Sequence, residues 1–316
     1  MCRWLAYSGP PIFLDTVLFK PENSLIRQSL RARESRSVTN SDGFGVGWYG
    51  HHDKPGLFRD IHPAWNDENL RNLSEQIQAR TFLAHVRAST GTPTARPNCH
   101  PFRYQNYLFM HNGQIGEFEK VRRDLMIAVR PDLFTNINGA TDSELFFHLL
   151  LGNDLGSDIP AAFAATIKIV EEARQRNNVN EPFLLTAVLS DGETLHAVRY
   201  ATNDKPASLY FGSDLPLSEF TNGTDEPHEK AILILSEPLD DIRDNWTEAP
   251  RKQHRGCRRK PRLCSTLTGQ RLRPLTQLPG LENRRWCRHH TLQPAEPLRY
   301  PHRIPVSPCG WQDQTR

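Results

Sequence analysis

Through residue 250 the apolar side chains come in short runs of two distinct periods. Runs of strand length, rich in aromatic and β-branched residues and bounded by glycine, proline or polar turn residues, occupy 3–8, 45–49, 81–86, 107–111, 183–190, 194–200, 208–211 and 231–235. At 69–79, 117–129, 142–151 and 159–176 the apolar residues recur at helical spacing. Thr141 stands at the N-cap position of the third of these, with Glu144 at the capping-box position. Asp191-Gly192 between two apolar runs predicts a hairpin, because both residues tolerate the positive φ of a tight turn. Helices gather in the middle of the chain and strands flank them. That order predicts an α+β fold of packed layers rather than a repeating βαβ unit.

Beyond residue 250 neither period continues, and the charge changes with it. Residues 251–316 hold 15 of the 39 Lys and Arg but 3 of the 36 Asp and Glu, so a basic tail follows an acidic body. The tail is rich in Arg, Pro, His and Cys, a composition that cannot bury enough apolar surface to offset its ordering entropy, and disorder is expected there. A shifted reading frame is one explanation for the change; a basic tail that binds RNA or another polyanion is the rival. Cys257, Cys264, Cys287 and His290 are a third, as zinc ligands, although the gap from Cys257 to Cys264 exceeds the usual spacing. The body keeps only Cys2 and Cys99, which argues against a disulfide framework. No run approaches the roughly 18 apolar residues of a membrane span. Pro10, Pro11 and Asp15 interrupt any secretory core, so a cytoplasmic location is expected.

Several short motifs carry chemistry. In Met1-Cys2 a small second residue permits removal of the initiator methionine, leaving Cys2 with a free α-amine. Such an amine has an unperturbed pKa near 8, so one residue then supplies both a nucleophile and a base. His85-Val86-Arg87-Ala88-Ser89-Thr90-Gly91 follows an apolar strand, and Arg87 can grip a carboxylate through two parallel hydrogen bonds. Met110-His111-Asn112-Gly113 reads first as a turn. It also offers the Asn112 carboxamide and the Gly113 amide as donors to a developing oxyanion. Asp142 at a helix start is stabilised by the helix dipole whatever else it does. The alternating glycines of residues 41–49 lack the Gly-Lys-Ser/Thr of a phosphate loop and predict a strand beside a crowded site.

One at a time these signals are weak; their order is specific. Met1-Cys2-Arg3, SDGFGVGWY, HVRASTG, NCHPF, MHNG and TDSE follow one another as in class-II glutamine amidotransferases of the N-terminal nucleophile hydrolase superfamily. Residues 2–250 resemble its short stand-alone members, which include the γ-glutamyl-hercynylcysteine sulfoxide hydrolases. The resemblance implies a four-layer αββα sandwich with Cys2 at the start of a central strand. It implies Cys2 as nucleophile with its α-amine as base, and Asn112 with Gly113 as the oxyanion hole. Arg87 would bind the substrate α-carboxylate, Thr90 would shape the pocket beside it, and Asp142 would pair with the α-ammonium. The implied reaction hydrolyses the γ-amide of glutamine or of a γ-glutamyl compound through a Cys2 thioester, with no cofactor and no metal. A separate chain would be the partner if the ammonia is used in synthesis. Cys99 is expected to be structural and His100 to line the pocket. The contrasting expectation is an inactive scaffold whose basic tail binds a polyanion.

Overall fold

The computed structural model describes residues 2–34, 39–89, 91–213 and 231–249, together with the backbone of Thr266–Thr268 and Arg271–Arg273. In chain order the elements begin with β1 (Arg3–Phe13), α1 (Asp15–Leu18), α2 (Leu25–Leu30), β2 (Phe44–Trp48), β3 (Gly56–Asp60), α3 (Glu68–Gln76) and β4 (Gln78–Val86). There follow β5 (Phe102–Tyr104), β6 (Tyr107–Ile115), α4 (Phe118–Ala128), α5 (Pro131–Phe134), α6 (Asp142–Leu151) and α7 (Ile159–Arg176). The last are β7 (Phe183–Ser190), β8 (Leu195–Ala201), β9 (Tyr210–Ser213), β10 (Ile232–Leu235), β11 (Thr247–Glu248), β12 (Thr266–Thr268) and β13 (Arg271–Arg273). They form two antiparallel sheets, in the orders β11-β9-β10-β1-β4-β2-β3 and β13-β12-β8-β7-β6-β5.

Alternation along the strands separates three buried cores, and the cores define the layers. Leu5 and Tyr7 of β1, with Phe82 and Ala84 of β4, face outward onto Val17, Leu25 and Leu70 of α1, α2 and α3. The intervening residues Trp4, Ala6 and Leu83 face inward and meet Leu108, Met110 and Val188 of the second sheet. Phe109, Leu185 and Ala187 on the far side of that sheet pack under Val121, Phe146, Phe147 and Val170 of α4, α6 and α7. The result is helix, sheet, sheet, helix. Phe109 and Phe147 lie parallel with ring centroids 5.2 Å apart. Burying side chains of this size contributes about 1.5–3 kcal/mol each. Two polar stitches join the sheets at their margins. The single Tyr49 hydroxyl proton is shared between Asn106 O (2.8 Å) and Ser190 O (2.9 Å), while buried Arg199 of β8 donates to Ala207 O, to Ala249 O and to the Glu248 carboxylate.

α6 and α7 coincide with the helical periods at 142–151 and 159–176. The predicted hairpin forms between β7 and β8, with Gly192 at φ +102° and the Asp191 carboxylate accepting the amides of Glu193 and Thr194. Three expectations need correction. Asn112-Gly113 is not a turn: β6 runs on to Ile115, because every residue from Leu108 to Ile115 has a ladder partner on β7. β1 does not stop at Ser8 but continues through Pro10 and Pro11, with a register shift between Ser8 and Ile12 where the prolines cannot donate. Glu144 does not close a capping box. Thr141 Oγ1 accepts the Glu144 amide (3.1 Å), but the Glu144 carboxylate turns to the amides of Asn138 (3.0 Å) and Gly139 (2.6 Å). β3, β5, β11, α1, α2 and α5 lie outside the predicted runs, as do β12 and β13 of the tail.

In the tail, β12 and β13 pair as a hairpin, and β12 adds to the edge of β8 through Thr266–His196 and Leu267–Leu195. Cys257, Cys264, Cys287 and His290 lie outside the described residues.

Candidate active site

Cys2 precedes β1, whose neighbour in the sheet is β4, so the residues that follow β4 fall beside the thiol. Cys2 Sγ lies 3.3 Å from the Ala88 amide, which donates to it, and 3.4 Å from Ala88 O. The side chain is half-buried and unpaired with Cys99, which is fully buried. Burial pushes the Cys2 thiol above its ordinary pKa. The Ala88 amide, the chain's N-terminal charge, Arg87 and Arg3 oppose that shift without cancelling it. Burial of this kind favours the protonated form of the thiol.

From the second sheet, β6 carries Asn112 to the same place. Its carboxamide Nδ2 donates to Cys2 O at 2.8 Å, bridging the two sheets at the N-terminus. Asn112 is 2% exposed, and the carboxamide has a second N–H beyond the one given to Cys2. Gly113, next on the strand, holds φ +150°. The sequence thus brings Cys2, Ala88 and Asn112 together from three strands.

Arg87 is buried, and its guanidinium is surrounded by neutral acceptors. Nη1 donates to Asp42 O (3.2 Å), and Nη2 to Thr92 Oγ1 (2.7 Å) and Ser89 Oγ (3.1 Å). Among the described residues it has no carboxylate partner. Burying a cation without a counter-ion is costly, which makes this the natural seat for an anion. Asp42, from the glycine-rich segment, fixes the loop. Its amide donates to Arg87 O (3.0 Å), the Arg87 amide donates to Gly43 O (2.8 Å), and the Asp42 carboxylate accepts the Ser89 amide at 2.7 Å. Thr90 lies outside the described residues.

Asp142 opens α6 and ties it to β6. One carboxylate oxygen accepts the Ile115 amide (2.7 Å), the other the Ser143 amide (2.8 Å). Beside it, His111 Nδ1 lies 2.8 Å from Ser143 Oγ and Nε2 lies 3.1 Å from Leu184 O. Because a carbonyl can only accept, the Nε2–H tautomer follows, with Ser143 donating to Nδ1. His111, Ser143 and Asp42 are site-building residues that the sequence reading passed over. Their signal was adjacency, since each sits beside a singled-out residue in MHNG, TDSE or SDG.

The glycine-rich strand borders a crowded region, as expected. A Cβ on Gly45 would collide with His100 O, and one on Gly43 would come within 2.6 Å of Cys99 Sγ. Cys99 Sγ lies 3.3 Å from Asp60 O, deep in that packing. The His85 and His100 rings lie 4.3 Å apart between centroids, tilted by 32° and both buried; the His111 backbone is close to the His85 ring, and among the described residues no hydrogen bond of good geometry reaches either ring. Burial holds both neutral, with His85 pushed down to about 3. No group of His, Cys, Asp and Glu among the described residues is arranged to hold a metal. No helix among them is long and apolar enough to cross a membrane.

Residues 21–254 match the family described as class-II glutamine amidotransferases. A probable glutamine amidotransferase of Saccharomyces cerevisiae, DUG3, is 35% identical across 79% of this chain and 80% of its own length. The γ-glutamyl-hercynylcysteine sulfoxide hydrolase of Mycolicibacterium smegmatis is 31% identical, across 36% of this chain and 52% of its own length. Among solved structures, a glutamine aminotransferase class-II domain protein from Silicibacter pomeroyi is 32% identical. It superposes with a TM-score of 0.58 over 79% of this chain and 100% of that one. The layered α+β architecture is therefore the glutaminase-type, N-terminal-nucleophile fold. By sequence match, by fold and by the order of its motifs, the chain belongs to the class-II glutamine amidotransferase family.

Proposed function

We propose that this protein hydrolyses the γ-amide of glutamine or of a γ-glutamyl compound, with Cys2 as nucleophile once Met1 has been removed. The observation that carries the proposal is the meeting of the Cys2 thiol, the anion-ready Arg87 loop and the Asn112 carboxamide at the end of the paired sheets. Arg87 holds the substrate α-carboxylate, Thr90 shapes the pocket beside it, and Asp142 pairs with the α-ammonium. The α-amine of Cys2, with an ordinary pKa near 8, takes the proton that the buried thiol retains. The thiolate attacks the γ-carbonyl. The resulting oxyanion is held by the second N–H of Asn112 and by the Gly113 amide. Collapse breaks the C–N bond, and the leaving amine takes the proton from the α-ammonium of Cys2. Water, deprotonated by the same amine, then cleaves the γ-glutamyl thioester and regenerates the thiol. We assign this activity to residues 2–250 and treat 251–316 as lying outside it. The end of the family match at residue 254 supports that boundary.

The test is glutamate release from glutamine and a panel of γ-glutamyl amides, with Cys2→Ala alongside and intact mass to follow Met1. Release should fall by at least about three orders of magnitude in the variant, since the covalent route is lost. An active Cys2→Ala protein, or an active protein that retains Met1, would overturn the assignment.

A further inference from the structure

Behind the 96–102 loop lies a second concavity, of about 370 Å3, within the roughly 300–1,000 Å3 of small-molecule sites. Leu57 and Phe102 give it an apolar wall, and Arg59, Arg96 and Arg103 converge on its rim. Arg96 is matched by Asp60 at 2.9 Å. The other two are not matched. Arg59 Nη1 donates to Cys99 O (2.9 Å) and Pro97 O (3.5 Å), and Arg103 Nη1 donates to Pro55 O (2.9 Å). Neither makes an ion pair among the described residues. The carboxylate lining the cavity, Glu144, is taken up by the amides of Asn138 and Gly139. Burial lowers the Arg59 pKa; the Cys99 thiol and Glu144 oppose this, while Arg103 and Arg96 add to it. Like charges gathered in a concavity on neutral acceptors are relieved by an anion.

We infer that this cavity binds a small organic anion, its carboxylate or phosphate between Arg59 and Arg103 and its apolar body against Leu57 and Phe102. The site is separate from the one at Cys2 and does not depend on the amidohydrolase proposal. Its occupant would brace the 96–102 loop from outside, since Arg59 is anchored to that loop at Pro97 and Cys99. On the inner side, Asn98 of the same loop donates to Pro93 O, beside Arg87.

Calorimetric titration of the full chain with inorganic phosphate, phenylphosphate and benzoate tests the inference. One saturable site is expected, with phenylphosphate tighter than phosphate and affinity falling as salt is raised. Phenylphosphate against benzoate distinguishes a phosphate from a carboxylate ligand. Arg59→Gln and Arg103→Gln should each weaken binding by about tenfold or more, and Arg122→Gln on α4 should leave it unchanged. Circular dichroism checks that each variant is folded. No saturable binding at millimolar ligand, undiminished binding in a folded Arg103→Gln protein, or equal affinity for phosphate and phenylphosphate would overturn it.

Discussion

A Cβ on Gly113 would run into Leu184 O and lie 2.7 Å from His111 Nε2, on a backbone held at φ +150°. Both obstacles belong to the ladder and to the His111–Ser143 link, so neither can yield cheaply. Gly113→Ala should therefore cost at least about 2–3 kcal/mol, read as a lowered urea midpoint, and glutamate release should fall with it. An Ala variant as stable as wild type would mean the strand relaxes locally. Residue identities were the most legible part of the sequence. Cys2, Arg87, Asn112, Gly113 and Asp142 stand out because each type offers chemistry that few others can. Their partners were not legible. Nothing in the sequence says that Asn112 donates to Cys2 O or that Asp42 accepts the Ser89 amide, because such contacts join residues far apart along the chain.

Among the elements, α6 is where local signals and tertiary demands meet. Thr141 caps it as its position predicts, but Glu144 holds the approach to the helix through the amides of Asn138 and Gly139. Removing that carboxylate strands two amides in a crowded loop. Glu144→Ala should cost about 2–4 kcal/mol, and Glu144→Gln, which keeps one acceptor oxygen, clearly less; paired urea titrations would show whether that order holds. Long helices were legible because their apolar residues repeat over several turns. Four- and six-residue helices such as α1 and α2 offer too few turns to show a period. β3 is half-buried along its whole length and never alternates cleanly, so its place beside β2 comes only from pairing.

Across the whole molecule, buried charge and buried imidazole set the response to pH and to mutation. Arg3 and Glu237 form an ion pair at 3.2 Å with each side chain 1% exposed, and Glu237 also accepts the amides of Arg33 and Glu34. Glu237→Ala leaves the Arg3 charge buried and unpaired, and should cost about 3–5 kcal/mol in thermal or urea unfolding. His85 titrates near 6.5 when unfolded and at about 3 when folded, lowered first by burial and then by Arg87 and His111. Below pH 6.5 the unfolded chain therefore binds more protons than the folded one, so stability falls as pH falls. By pH 5 this one ring accounts for about 2 kcal/mol. His100 and His111, also lowered by burial, act in the same direction. His85→Phe should lose less stability between pH 7 and pH 5 than wild type; an unchanged slope would place the sensitivity elsewhere.

Strand and helix periods, turn chemistry and motif order were enough to determine the family and the α+β layering, and to nominate the site residues, because each is written in neighbouring positions. Tertiary structure alone decided that Asn112-Gly113 continues a strand. It also turned Glu144 from its own helix cap to the preceding loop, and brought Arg59, Arg96 and Arg103 to one rim. In each case the deciding partner is remote in sequence or off the local axis. Pairing of β6 with β7 supplies the ladder, the loop before α6 supplies the amides, and the meeting of β3 with β5 and α6 supplies the concavity.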